Sequence, residues 1–234
     1  MNRDLVFTAY NRPEYLQQTI SSWNNVRNLD RWNTTFYIEP SEEQELVSSI
    51  AMNLSTTVTT RINSERLGVL VNPWNAINTS FENGSDFVVL AEDDVIVSQD
   101  ILEYFEWTSV EYETAKSILV INAFSKLGGK ANQITQDPQF SPLIWGVSRK
   151  NWETYLRDTW DKDYSSGKAD GSEAGWDWNI NRILASYAMY TIKPMQSRSN
   201  HIGLFGTHMT PDLMESSQGQ DFTEIRGRQR YNEV

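Results

Sequence analysis

The sequence predicts one α/β domain built on a mostly parallel sheet with helices on both faces. Three observations predict it. Short apolar segments alternate with segments of helical spacing along the first half of the chain, the order that winds a parallel sheet. The 234 residues suit a single domain, and 39% hydrophobic with 12% aromatic residues supply a sizeable core. An acidic triplet, Glu92-Asp93-Asp94, directly follows the most hydrophobic strand candidate, at the carboxyl end where open α/β sheets bind ligands.

Residues 4–10 read as a buried first strand ended by Asn11-Arg12-Pro13. Pro13 suits the first turn of a helix, and Tyr15, Leu16, Thr19, Ile20 and Trp23 follow at helical spacing. Residues 34–39 make a second strand. Ser41 with Gln44 has the spacing of a capping box for the next helix. A β-branched run at 55–61 is a third strand, and 68–81 a helix whose start Pro73 blurs. Residues 86–91 form the strand that precedes the triplet, and Ser98 is placed to cap a helix carrying Ile101, Leu102, Tyr104 and Phe105. After a strand at 117–123 the composition changes. Residues 124–142 read as a long loop, 143–148 as a strand, and a helix begins near Asn151. Five of the nine tryptophans, Trp145, Trp152, Trp160, Trp176 and Trp178, gather in this back half. From Gln218 onward the chain is polar and reads as a surface tail.

The formal net charge is −11, and there is no cysteine. Acidity argues against phosphate-backbone binding and anionic membrane surfaces. Without cysteine, metal chemistry falls to oxygen ligands and to the two histidines, His201 and His208. No apolar run approaches the roughly 20 residues needed to span a bilayer. The opening Met1-Asn2-Arg3-Asp4 does not read as a signal peptide, so a cytoplasmic protein is expected.

Carboxylates at a strand end are hard ligands for Mg²⁺ or Mn²⁺, which can clamp a diphosphate; an acidic turn is the plainer reading. Gly175-Trp176-Asp177-Trp178 sets a carboxylate between two large aromatics, where apolar walls would raise its pKa as a general base requires. On spacing alone, an aspartate capping the helix that contains Asn181, Ile183 and Leu184, flanked by core tryptophans, is the preferred reading. Arg198 is a candidate to stabilise a departing diphosphate, and Gly203 and Gly206 to let a loop close over it.

The segments VFTAYNRPEYLQQTI and FVVLAEDDVIVSQDILEYF together resemble the GT-A nucleotide-sugar glycosyltransferases, most nearly the mannosyl-glycoprotein N-acetylglucosaminyltransferases. SPLIWGVSRKNWETYL, EAGWDWNINRIL and KPMQSRSNHIGLFG extend the likeness over roughly residues 4–210. The resemblance implies a Rossmann-like GT-A domain over 1–217, with a nucleotide-binding half (1–95), an acceptor half (96–217) and a polar tail (218–234). It makes Asp94 the direct metal ligand, and gives Glu92 and Asp93 the sugar and ribose side. Thr8, Ala9, Tyr10 and Arg12 would line the base and ribose pocket, Glu39 would read base or ribose, and Arg66 and Asn75 would touch the nucleotide sugar. A late histidine, His201 or His208, would complete the shell of Mn²⁺ or Mg²⁺, and Asp177 becomes the preferred base. The family's membrane anchor has no counterpart here, which suits a microbial or viral enzyme.

The function expected is metal-dependent inverting transfer of a sugar from a nucleotide-diphosphate sugar, preferably a UDP-sugar, to a hydroxyl of a glycan or protein acceptor. The alternative is a carbohydrate-binding or catalytically inactive scaffold using the tryptophan-rich half. A nucleotidyltransferase would want a glycine-rich loop after the first strand, yet no glycine precedes Gly68. A DNA acceptor would need a strongly polarised surface, for which Arg226, Arg228 and Arg230 offer only a small basic patch.

Overall fold

The computed structural model describes residues 1–203, 225 and 229–234. Among these residues, eleven strands and six α-helices run in the order β1 (Arg3–Ala9), α1 (Pro13–Trp23), β2 (Asn33–Ile38), α2 (Gln44–Ala51), β3 (Val58–Ile62), α3 (Gly68–Glu82), β4 (Phe87–Glu92), β5 (Val95–Val97), α4 (Ile101–Glu111), β6 (Ile118–Asn122), β7 (Gln133–Asp137), β8 (Trp145–Ser148), α5 (Arg149–Asn151, running on as a π-helical turn, Trp152–Leu156), α6 (Trp176–Ser186), β9 (Tyr190–Pro194), β10 (Ser199–His201) and β11 (Asn232–Glu233).

Nine strands form one sheet in the order β11-β7-β9-β6-β8-β4-β1-β2-β3, and β10 pairs with β5 in a separate two-stranded ribbon. The front half is parallel: β1 lies between β2 and β4, with Thr8 opposite both Tyr37 and Glu92. That register brings the carboxyl ends of the three strands to one edge. β8 is antiparallel to β4 and β6, and β7 to β9.

Period-two alternation divides the core. Leu5, Phe7, Val89 and Ala91 point to the face covered by α1, α2 and α4. Val6, Val88 and Leu90 point to the face covered by α3, α5 and α6. Helices therefore cover both faces, as the strand–helix alternation predicts.

Three local readings need correction. Ser41 does not cap α2; its hydroxyl bonds the Tyr10 carbonyl, and the helix starts at Gln44. Asp100, not Ser98, holds the N-cap position of α4, and Ser98 donates to its carboxylate at 2.7 Å. The expected loop 124–142 contains β7, whose partner is far along the chain. The described residues near the end of the chain make specific contacts. Ile225 is buried, the Tyr231 ring packs on Trp107 and Tyr104, and β11 extends the sheet beside β7. His208, Gly206, Arg226 and Arg228 lie outside the described residues.

Candidate active site

A cavity of about 600 Å³ opens at the carboxyl ends of β1, β2 and β4, bordered by the start of α3 and by β10. Thr8, Ala9, Tyr10, Arg12, Glu39, Arg66, Glu92, Asp93, Asp94 and His201 all line it. Arg12 bridges the triplet. Its guanidinium lies 2.5 Å from Asp93 and 2.7 Å from Asp94. The Tyr10 backbone N–H also donates to Asp93, at 3.1 Å. His201 Nε2 sits 3.1 Å from Asp94 Oδ2, delivered by the β10–β5 ribbon, in which His201 pairs with Val95.

These partners set the charges. Burial, with the charges of Asp94 and Asp93, pushes the Glu92 carboxyl up to about 8 against the opposing pull of Arg12. Burial pushes Asp93 up to about 6, again opposed by Arg12. Burial works against ionisation of Asp94 too, but the hydrogen bond from His201 and the charge of Arg12 win and hold it below its ordinary value. Four acidic side chains (Glu39, Glu92, Asp93, Asp94) thus share the cavity with two guanidiniums (Arg12, Arg66). A cation bound among them would favour the ionised forms of Glu92 and Asp93.

Two residues have structural duties that the sequence conceals. Glu39 accepts the backbone N–H groups of Leu67 (2.8 Å) and Gly68 (2.9 Å), so it holds the start of α3 while lining the cavity. The Arg66 guanidinium stacks 4.5 Å from the Tyr10 ring centre, which builds a flat wall of ring and cation.

Asp177 approaches from α6, and its place is fixed by a proline. Pro73 lies inside α3 and cannot donate to the Val69 carbonyl. The indole N–H of Trp176 takes that carbonyl at 3.1 Å, and that of Trp160 takes the Leu70 carbonyl at 2.7 Å. The start of α6 is thereby tied to the helix that walls the cavity. Asp177 is half-buried, and burial raises its pKa against the backbone N–H of Trp178 and the charge of Arg182. Its charge in turn raises Glu92. It is not flanked by two open aromatics: Trp176 is core, stacked on Trp160 at 5.0 Å, and Trp178 is exposed.

No protein-family model and no curated protein matches the chain. Solved structures do. The chain is similar to a mannosyltransferase from Pyrobaculum calidifontis in complex with GDP-Man and Mn²⁺, at 14% identity and TM-score 0.52, covering 82% of this chain and 54% of that one. It is similar to S. aureus TarS 1–349, at 10% identity and TM-score 0.58, covering 87% and 61%. The same TarS segment with UDP-GlcNAc gives 11% identity, TM-score 0.54 and coverage of 93% and 64%. The fold is GT-A-like. The chain spans between 54% and 64% of the length of these structures.

The cavity lies where a GT-A-like sheet opens, and the donor set decides what ion it could take. Asp94 and His201 supply one hard oxygen and one imidazole nitrogen, a pair suited to Mn²⁺. Gly203 leaves them room: a Cβ there would collide with Asp94 Oδ2 and come within 3.0 Å of His201 Nε2. Among the described residues no group of three His, Asp or Glu could hold a metal alone. With only these two protein donors, an ion here would have to complete its shell with phosphate oxygens and water.

Three expected site residues do not line the cavity, and Asp177 is one of them. Asn75 does not line the cavity; Asn72, one turn earlier on α3, does. Arg198 is fully buried, 3.1 Å from Asp100, bonded to the carbonyls of Ala131 and Gln196, between the rings of Tyr104 and Tyr231. It is a core cation that holds the approach to β10. Its neighbours in space lie up to 98 positions away in sequence, and no local signal marks it. Asn72 did carry a signal, since a polar residue before a mid-helix proline is out of place on a core face.

Proposed function

We propose that this protein is a metal-dependent inverting glycosyltransferase that moves a sugar from a UDP-sugar to a hydroxyl of an acceptor. One observation carries the reading: Arg12, Asp93, Asp94 and His201 form a connected network in a cavity at the parallel strand ends, with Asp177 close enough to shift Glu92. The complexes of the similar structures, with GDP-Man and Mn²⁺ and with UDP-GlcNAc, support a nucleotide-sugar donor.

In this reading the base stacks on the Tyr10–Arg66 wall, and Thr8, Ala9, Glu39 and Asp93 border the base and ribose. Asp94 and His201 would hold the divalent ion, which when bound offsets charge building on the leaving diphosphate. Asp177 receives the proton of the acceptor hydroxyl, a task for which its raised pKa suits it. The scaffold alternative loses support, because Trp145, Trp152, Trp160 and Trp176 are spent in the core and only Trp178 faces solvent.

Calorimetry with UDP, with Mn²⁺ and with EDTA, tests the reading. Heat is expected only with the metal. Asp94→Ala should abolish binding, while Asp177→Asn should keep UDP binding and lose transfer. No binding of UDP or GDP at millimolar ligand, or turnover retained by Asp177→Asn, would overturn it.

A further inference from the structure

The two edges of the nine-stranded sheet are finished differently. At one end β11 is two residues long, and its Glu233 carboxylate is held by the Tyr112 hydroxyl at 2.5 Å and by Gln136 at 2.7 Å. At the other end β3 pairs, among the described residues, with β2 alone. An open edge is a template for another strand, and proteins guard it with lysine, proline, a bulge or a very short strand. β3 has none of these: it runs Val-Thr-Thr-Arg-Ile over five residues in unbroken register with β2. Its one charge does not guard the edge either. The Arg61 guanidinium is drawn back over the Tyr37 ring of β2, 5.8 Å from its centre.

The register says which backbone groups stay open. Asn63, just past the strand, donates to the Ile38 carbonyl at 2.9 Å, and Arg61 stands opposite Tyr37. Successive residues turn their N–H and C=O groups to opposite sides, so Thr59 and Arg61 face β2 while Val58, Thr60 and Ile62 face outward. Antiparallel pairing with a second β3, about a two-fold axis at Thr60, sets Val58 opposite Ile62 of the other copy and Thr60 opposite Thr60. Every outward N–H and C=O of the strand then meets a partner. The side chains agree. Val58 packs on the core covered by α2, and Ile62, on the same face, is 43% exposed until a valine of the second copy covers it. On the opposite face Arg61 meets Thr59 of the second copy. An axis at Arg61 would instead set two guanidiniums directly opposite, which is unfavourable.

We infer that β3 is a dimer edge, at which two copies of this chain join antiparallel through residues 58–62, about a two-fold axis at Thr60, into one continuous sheet. The contact is isologous, with the same patch used on both sides. A five-residue edge buries less than the roughly 1,200 Å² of a standard interface, so the association is weak and depends on concentration. The cavities lie at the carboxyl ends of the parallel strands and therefore open in opposite directions in the two copies.

The chain has no cysteine, so a single introduced thiol reports the register. Hydrogen-bonded antiparallel partners have Cα atoms about 5.5 Å apart, a span that a disulfide bridges. In a glutathione redox buffer, Thr60→Cys should form a linked dimer tenfold or more faster than Thr59→Cys, although Thr59 is the more exposed of the two. Sedimentation velocity of the chain without substitutions should show monomer and dimer in exchange at high micromolar protein, and Ile62→Lys should shift it to monomer with circular dichroism unchanged. Equal cross-linking of the two cysteine variants, no cross-linking of Thr60→Cys, or a dimer that Ile62→Lys leaves intact overturns this pairing. A monomer at every concentration overturns the dimer and leaves the edge to an extended segment of another protein.

Discussion

Asp161 holds the loop that runs into α6 at Gly175, and the cost of losing its charge follows from the geometry. Burial alone would raise this carboxyl. The Ser166 hydroxyl and the N–H groups of Gly175, Asp163 and Ser166 outweigh burial and bring it down to about 2, from an ordinary 3.8. That difference corresponds to about 2.4 kcal/mol of folding free energy at neutral pH. The folded pKa lies below the unfolded one, so the contribution is present above about pH 4 and is lost as pH falls through about 2. Asp161→Asn keeps the shape but removes the charge and turns one acceptor into a donor facing N–H groups. Urea unfolding at pH 7 should show the variant about 2 kcal/mol less stable, and its Tm about 4 to 8 °C lower for a chain of this size. At pH 3 the gap between the two proteins should shrink to about half, because the wild-type contribution is then partly titrated. A gap under about 0.5 kcal/mol at pH 7, or one that is the same at both pH values, refutes the reasoning.

Three further predictions concern the cavity and its support. Gly203→Ala pushes a methyl into Asp94 and His201; overpacking of this kind costs about 1–3 kcal/mol, and calorimetry should show Mn²⁺-dependent UDP binding weakened tenfold or more. Glu92 titrates near 8 in the folded protein, so its contribution to stability is full below its ordinary 4.5 and is lost as pH rises through about 8. The metal-free protein should accordingly lose Tm between pH 5 and pH 9, Glu92→Gln should flatten that slope, and added Mn²⁺ should raise Tm more at pH 8 than at pH 5. Arg198→Leu strands the fully buried Asp100 and should cost about 3–5 kcal/mol in urea unfolding. Arg198→Leu that unfolds like the wild type but fails to bind UDP would return Arg198 to the diphosphate.

The front of the molecule was legible because its determinants are local. Residues 4–10, 34–39 and 86–91 show the continuous apolar runs of strands buried on both faces, and each lies within two residues of an observed strand. The triplet could be placed for the same reason, since a parallel strand ends where its apolar run ends. The ribbon of β5 and β10 could not be read: each strand has three residues, and the pairing joins Val95 to His201 across more than a hundred positions. Tryptophan spacing leaves both a core and a sugar-binding face open in the back half; the indoles of Trp160 and Trp176 are turned inward to take the Leu70 and Val69 carbonyls.

That inward turn links the two halves of the site. A proline at position 73 would be a defect in an isolated helix, since it deprives the Val69 carbonyl of a donor. Here Trp176 repairs the defect, and the residue after Trp176 is Asp177. The carbonyl exposed by the proline therefore sets the distance between the cavity wall and the carboxylate assigned as the base. Replacing Pro73 with alanine should let α3 satisfy Val69 within the helix and release Trp176 from that duty. Fluorescence should then report a changed indole environment, and acceptor-dependent turnover should fall more than UDP binding. Unchanged turnover in Pro73→Ala would mean that the stacking of Trp176 on Trp160 and Trp145 holds Asp177 without the indole bond.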